Sequence, residues 1–217
     1  MLIRILDSES QITNKILNAI AQDYNKTIIS SLSELKSRVK DLTYLYFKTT
    51  PTYQALGEEL EGHFGFPAGT GLIRAEFIIK AVVNSLVVEN IPVKVVGNGF
   101  SGVLTLKMLR TSLEEMWSLP SDIIEVDNNG QRLPWLRWLL EYGNDIVISK
   151  HEIQFGTNLP GSRSGQAVMI KSAGVWRVPP QYSGTTNDNW LTRTLYSKDY
   201  FSLLKLAIHS IILKNVR

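Results

Sequence analysis

The sequence predicts an α+β fold in which a long N-terminal helix and a helical hairpin precede a small, mostly antiparallel sheet packed by a C-terminal helix. Apolar residues recur at helical spacing over residues 10–48, alternate after Leu86, and return to helical spacing after Ser197. We expect a helical part over residues 1–86 and an α+β part with extended loops over residues 87–217, with one continuous domain as the alternative.

The long helix is predicted by one apolar stripe that no proline or glycine interrupts. Its members are Ile12, Ile16, Ile20, Tyr24, Ile28, Leu32, Leu35, Val39, Leu42 and Tyr46. A helix of about 38 residues is roughly 57 Å long, which exceeds the diameter of a small domain. Part of it is therefore expected to project or to pack on a neighbouring subunit. Two helices with a break near residues 25–31 are the alternative.

Two further helices are expected to form the hairpin. Thr50 is placed as the N-cap of the first, Pro51 as its first helical residue, and Gly65 and Pro67 end it. The second is predicted over residues 71–86, and its inward face is expected to contain Leu72, Phe77, Ala81 and either Val82 or Leu86.

A tight turn between two strands is predicted after Leu86. The segment Gly97–Gly102 matches G-x-G-x-x-G, but a dinucleotide loop needs a helix after it, and residues 103–109 alternate with period two. Asn98-Gly99 is itself a strong hairpin signal. The hairpin is therefore favoured, and an enzyme that uses this loop is the alternative.

The rest of the chain predicts short elements before a final helix. Pro134 begins a compact helix with Trp135 and Trp138 in the core, and residues 146–155 form a strand. A short hairpin is expected to pair residues 166–170 with residues 175–178. The core stripe of the final helix contains Phe201, Leu204, Ile208 and Ile211.

The stretch Phe155–Leu195 is dense in Gly, Ser, Thr, Asn and Pro, and it contains two tryptophans and three arginines. Long loops in a compact domain are usually functional or disordered, and tryptophans argue against disorder. Trp and Arg are enriched at interface hot spots. The candidate subunit-interface residues are Arg163, Ser164, Gly165, Trp176, Arg177, Tyr182, Trp190 and Arg193. The local core is the alternative for both tryptophans, and a carboxylate in the same subunit is the alternative partner for Arg193.

The sequence offers little for catalysis, so we predict no enzyme, no cofactor and no metal site. There is no Cys, and His63, His151 and His209 lie in separate elements without metal-ligand spacing. Arg163 occupies the centre of GSRSG, where a nucleophile elbow needs Ser. The net charge of +3 is too small to indicate nucleic-acid binding by itself. The sequence contains no run of 18 apolar residues, so no membrane-spanning helix is predicted.

Several segments resemble virion structural proteins of tailed phages, in the neck, tail-completion and tail-terminator group. They are PTYQALGEELEGHFGFP, LPWLRWLLEYGNDIVI, HEIQFG, SRSGQAVMI and WRVPPQYSGTTNDNWLTRTL. Ser164-Gly165 and the segment from Gly184-Thr185 through Trp190 to Leu195 occupy the places of the group's short motifs. The insertion that contains Trp135 and Trp138 is larger than in the shortest members.

The resemblance implies a virion protein, assembled in the host cytoplasm as one subunit of a ring with six- or twelvefold symmetry. Its expected partners are its own copies and the adjacent portal, neck, tail-tube or sheath proteins. Genome DNA would pass through the ring without specific binding. Residues 157–166 and 180–190 are expected to contact other subunits. A baseplate or other tail protein is one alternative, and a DNA-binding regulator using Lys36, Arg38, Lys40 and Lys48 is another.

Overall fold

A computed structural model describes residues 7–108, 116–128 and 130–215, and it has the predicted α+β class. The helices are α1 (Glu9–Lys48), α2 (Pro51–Leu56), α3 (Glu59–Phe64), α4 (Thr70–Asn84), α5 (Ser121–Ile124), α6 (Trp135–Leu140), α7 (Trp190–Leu195) and α8 (Lys198–Asn215). The strands are β1 (Leu86–Val96), β2 (Gly99–Met108), β3 (Val126–Asn128), β4 (Gln131–Leu133), β5 (Ile148–Phe155) and β6 (Ala167–Trp176).

Helix α1 is continuous over 40 residues, which confirms the single long helix and excludes a break near residues 25–31. Ser8 begins it with a capping box: its Oγ accepts a hydrogen bond from the Gln11 backbone at 3.3 Å, and Gln11 Oε1 accepts one from the Ser8 backbone at 2.8 Å. Both polar groups at this end are therefore satisfied locally, without help from the rest of the fold.

Helix α8 runs antiparallel to α1 and covers only its C-terminal half. The hydroxyl groups of Thr43 and Tyr200 are 2.6 Å apart in a buried hydrogen bond near the start of α8. At the other end of α8, Lys214 Nζ donates to Glu34 Oε1 at 3.2 Å. Eighteen helical residues span about 27 Å, whereas α1 is about 60 Å long, so α8 reaches no further along α1 than the region of Glu34.

The strands form three separate two-stranded antiparallel sheets. Strands β1 and β2 turn at Gly97, whose φ is +59°, and β2 then continues from Gly99 to Met108. The dinucleotide-loop alternative is therefore wrong, because a strand stands where that loop needs a helix. Asn25 of α1 holds this hairpin: its Nδ2 donates to Val93 O at 2.9 Å, and its Oδ1 accepts from Val93 N at 2.7 Å.

The predicted hairpin of residues 166–170 with residues 175–178 is wrong, because β6 runs without a turn from Ala167 to Trp176. Its partner is β5, with Phe155 paired to Ala167 and Ile148 paired to Trp176. Pairing with β5 satisfies backbone groups along the length of β6, which a local hairpin would satisfy only at its ends. The register of this pairing shifts between Ser149 and His151, at Lys150, whose φ is +57°, and pairing continues on both sides of the shift.

One hydrophobic core joins the two halves of the chain. It includes Phe47 of α1, Phe66 after α3, and three tryptophans of the C-terminal half: Trp135, Trp176 and Trp190. Trp135 packs edge-on against Phe66 with ring centroids 5.0 Å apart, and Trp190 packs edge-on against Phe47 at 5.6 Å. Trp135 and Trp138 are both buried, as predicted. A second, smaller cluster contains Val39, Val88, Tyr200 and Leu204.

Two predicted inward faces are wrong in part. In α4, Val82 is buried as predicted, but Leu72 and Phe77 are exposed, while Ala75, Ile78 and Ile79 are buried. Helix α4 is apolar on several sides, so its spacing alone does not select the buried stripe. In α8, Leu204 and Ile211 are buried as predicted, but Phe201 is exposed, and the neighbouring Tyr200 is buried through its contact with α1. The helix predicted after Pro51 is also divided at Gly57 into α2 and α3.

The start of α4 presses closely against the end of α2 at Gly71. A Cβ at this position would lie 1.8 Å from the carbonyl oxygen of Leu56. The buried Glu61 carboxylate accepts a hydrogen bond from the Gly71 backbone at 3.1 Å, which places a negative group at the positive end of α4. This contact fixes α3, and with it His63, relative to α4.

Gly71→Ala is expected to lower the free energy of unfolding by about 2–3 kcal/mol, because the added methyl group has no space and the backbone must move. Gly99→Ala is the matched control, since a Cβ there meets no atom closer than 3.9 Å. Urea unfolding of both variants measures the difference. Equal stability of the two variants would contradict the close contact between α2 and α4.

Candidate subunit interface

The predicted interface residues divide into a buried group and an exposed group. The buried members are Ser164, Trp176 and Trp190, Tyr182 is half-buried, and the exposed members are Arg163, Gly165, Arg177 and Arg193. Ser164, Trp176 and Trp190 are therefore closed to any partner, whereas the four exposed residues are open to one.

Both tryptophans of this set belong to the subunit core. Trp176 lies edge-on to Trp138 at 5.3 Å, and its Nε1 donates to His63 Nδ1 at 3.2 Å. Trp190 Nε1 donates to Thr50 Oγ1 at 2.9 Å, and Thr50 is the N-cap of α2. Each indole thus has a hydrogen-bond partner in its own chain, which is the usual state of a buried tryptophan.

The segment SGTTNDNW forms an internal clamp at the start of α7. Asn189 Oδ1 accepts hydrogen bonds from Leu191 N at 3.0 Å and from Thr192 N at 3.2 Å, which caps the helix. Its Nδ2 donates to Leu140 O at 3.4 Å and to Thr185 O at 3.0 Å. One buried side chain thereby connects α7, α6 and the preceding loop.

Arg193 binds two residues of the same segment, Asp188 and Ser183, from its solvent-exposed side. Its Nε lies 2.7 Å from Asp188 Oδ1 and its Nη2 lies 3.0 Å from Asp188 Oδ2, a two-point pairing that holds the pKa of this carboxyl below its usual value. Nη2 also donates to Ser183 O at 3.1 Å. The pairing with Asp188 confirms the alternative given for Arg193, a carboxylate in the same chain.

Asn189→Ala is expected to lower the free energy of unfolding by about 1–2 kcal/mol, because the helix cap and the hydrogen bonds to α6 and to the preceding loop are lost together. Asn187→Ala, in the exposed part of the same loop, is the control and is expected to change it by less than about 0.5 kcal/mol. Thermal and urea unfolding provide the comparison. An effect of the same size in both variants would show that Asn189 does not hold the clamp.

The GSRSG loop is also held from within. Ser164 Oγ accepts from Gln166 N at 3.1 Å and from Ala167 N at 3.2 Å, and Gly165 adopts a φ of +74° that favours glycine. Arg163 donates to the backbone carbonyl of Asp127, next to the β3–β4 turn. The loop tip is therefore fixed against a second hairpin while the Arg163 side chain stays at the surface.

A cavity of about 300 Å³ lies between α3, the β5–β6 hairpin and the GSRSG loop. Its wall includes His63, Trp138, Ile153, Arg163, Met169 and Trp176. Because Trp176 donates to Nδ1, the neutral His63 imidazole has its proton on Nε2. Burial lowers the pKa of His63, although the Glu59 carboxylate acts in the opposite direction. Among the described residues, no group of three or more His, Asp or Glu side chains is placed to hold a metal ion.

The lowered pKa of His63 predicts a loss of stability in mild acid. Below about pH 6.5 the unfolded chain takes up a proton that the folded imidazole resists, so the free energy of unfolding falls as pH drops from about 7 to about 6. His63→Gln, which keeps an acceptor for Trp176, is expected to flatten this dependence. His209→Gln, on the exposed side of α8, is the control and should keep it. An unchanged slope in His63→Gln would contradict the assignment.

Most of the exposed large apolar side chains lie outside the stretch that the sequence singled out. They are distributed over α1, α4, the β1–β2 hairpin and α8, and they include Ile16, Ile20, Ile29, Leu45, Ile73, Phe77, Val96, Phe100, Leu203, Leu206 and Leu213. Contiguous exposed apolar patches mark interaction sites on soluble proteins. In α1, the amphipathic stripe and the excess length of the helix already indicated a partner, but no spacing rule identified the outward leucines of α8.

Comparison of the chain with protein-family models, curated proteins and solved structures finds no match. In the described part of the chain, the helices fall short of the combination of length and apolar character that crossing a membrane requires.

Proposed function

We propose that this chain is a non-enzymatic structural subunit of a tailed-phage virion, which assembles into a ring at the head–tail junction or at the tail end. The observation that carries the proposal is the apolar surface that the chain leaves exposed. Ile16 is 54% exposed, Val96 is 62% exposed and Leu206 is 68% exposed, and they lie on three different elements. A chain that folds alone gains stability by burying such side chains, whereas an assembly subunit buries them against its neighbours.

The distribution of this surface favours a ring over a simple dimer. A twofold dimer uses one self-complementary patch, whereas each subunit of a ring uses two different patches, one for each neighbour. The exposed apolar residues of the N-terminal half of α1 and of the β1–β2 hairpin form one candidate patch, and those of α8 form another. The fixed GSRSG loop and the exposed Arg177 supply polar contacts for an adjacent ring of portal, neck, tail-tube or sheath proteins.

A DNA-binding regulator is the competing proposal, and one feature of the structure weakens it. Lys48 is one of the four basic side chains that suggested it. Its Nζ lies 2.9 Å from Glu76 Oε1, so the carboxylate balances its positive charge. This hydrogen bond also raises the pKa of the Lys48 ammonium. Lys36 and Arg38 are exposed on α1, and the same turns of the helix also carry the exposed carboxylates Glu34 and Asp41. This mixed surface suits a ring through which DNA passes without tight phosphate binding.

Light scattering of the purified chain across a concentration series tests the proposal, together with DNA binding at low and moderate salt. We expect the mass to rise from one subunit to a closed oligomer, with no salt-dependent affinity for DNA. Arg177→Glu tests the loop face: it should leave the stability and the ring unchanged but weaken binding to isolated phage particles that lack this protein. A monomer or dimer that binds DNA with a steep salt dependence would contradict the ring and support the regulator.

A further inference from the structure

The N-terminal half of α1 carries an apolar stripe that nothing in the described chain covers completely. Ile16 is 54% exposed, Ile20 is 39% exposed and Tyr24 is 42% exposed, and their four-residue spacing places them on one face of the helix. The β1–β2 hairpin borders this face, with Phe100 6.2 Å from Tyr24 between ring centroids. Further along α1, the continuation of the same stripe is covered by α8, as the buried Val39 shows.

The outward side of α8 carries a second uncovered stripe. Leu203, Leu206 and Leu213 are exposed on it, with Ser210 between the last two. These four positions are separated by three, four and three residues, which is the spacing of the residues that face a partner in helix–helix packing. Another side of α8, about 120° away around the helix axis at 3.6 residues per turn, is already used, because Tyr200, Leu204 and Ile211 are buried against α1 and its surroundings. Helix α8 is therefore apolar on two sides, and the chain covers only one of them.

The two stripes match in length. The exposed leucines span residues 203–213, which is about 15 Å along the helix, and the exposed residues of α1 span 16–24, about 12 Å. Within one subunit they do not meet, because the α8 end that carries Lys214 lies at Glu34 and the α1 stripe ends at Tyr24, ten residues before Glu34. Contact between them requires two copies of the chain.

The charges around the two stripes are of opposite sign. From Asp7 to Lys26, Lys15 pairs with Asp7 and Lys26 pairs with Asp23, which leaves the Glu9 carboxylate. In α8, Lys214 pairs with Glu34, which leaves Lys198 and Lys205 against the Asp199 carboxylate. Opposite potentials orient two surfaces and disfavour pairing of either stripe with itself.

We propose that the outward leucine face of α8 in one copy packs against the exposed N-terminal face of α1 in the next copy. This inference rests on the proposed ring, and it names the surfaces that close it. Because the two faces are different patches of the same subunit, the contact is head-to-tail and repeats around a closed ring. It also explains why α1 extends far beyond the reach of its own α8: the added length receives the α8 of a neighbour.

Engineered disulfides test the pairing, since the chain has no cysteine of its own. Ile16→Cys and Ile20→Cys, each mixed with Leu206→Cys under mild oxidation, are expected to give two-chain products that contain one copy of each variant. A disulfide requires Cα atoms about 4.4–6.8 Å apart, so it reports close contact. Ser37→Cys, at an exposed position on the C-terminal half of α1, is the matched control. The double variant Ile20→Cys/Leu206→Cys should give a covalent ladder that ends at the ring number.

The outcomes separate this inference from the proposed function. Mixed disulfides well above the Ser37→Cys control support the pairing. Disulfides that form mainly between two copies of the same variant would show a twofold contact and overturn it. No disulfide above control, with light scattering still reporting an oligomer, overturns the pairing and leaves the ring. A monomer at every concentration without disulfides overturns both. Leu206→Glu, at a 68% exposed position, should leave folding intact and lower the oligomer mass.

Discussion

The length of α1 is the constraint on which the rest of the structure depends. A 40-residue helix with an apolar stripe along most of its length needs cover for about 60 Å, whereas the helix that packs along it has 18 residues. The C-terminal half of α1 is covered by α8 and by the main core, which includes α4. Among the described residues, the N-terminal half is bordered by the β1–β2 hairpin, fastened through Asn25 to Val93. An exposed apolar face on α1 follows directly from this mismatch.

Several residues of the motif-rich stretch between Phe155 and Leu195 hold the fold together. Asn189, Arg193 and Ser164 form hydrogen bonds within the chain, and Trp176 and Trp190 are buried in the core. These residues fix α6, α7 and two loops to one another. A surface that docks onto a partner needs this rigidity, because a loop already held in place loses little conformational entropy on binding. The exposed Arg163 and Arg177 are thus presented by a framework that the buried motif residues build.

The sequence was most informative where the determinants were local. The stripe from Ile12 to Tyr46 predicted α1, and Thr50-Pro51 predicted the start of α2, because helical periodicity and capping depend on neighbouring residues. It failed where distant partners decide: β6 is straight because β5 pairs with it, and the buried side of α4 depends on α2 and the core. The hydrogen bond between the His63 and Trp176 side chains joins residues 113 positions apart, and no local sequence pattern predicts it. The tryptophans were ambiguous because Trp is common both in cores and at interfaces.

Hydroxyl-radical footprinting of the dilute and the assembled protein tests most directly the claim that neighbours cover the faces this chain leaves open. Tyr24, Phe100 and Leu206 are expected to react in the dilute protein and to become protected on assembly, while Trp176 and Trp190 stay protected in both states. If Tyr24, Phe100 and Leu206 react equally in both states, these faces do not form the interface and the account is wrong.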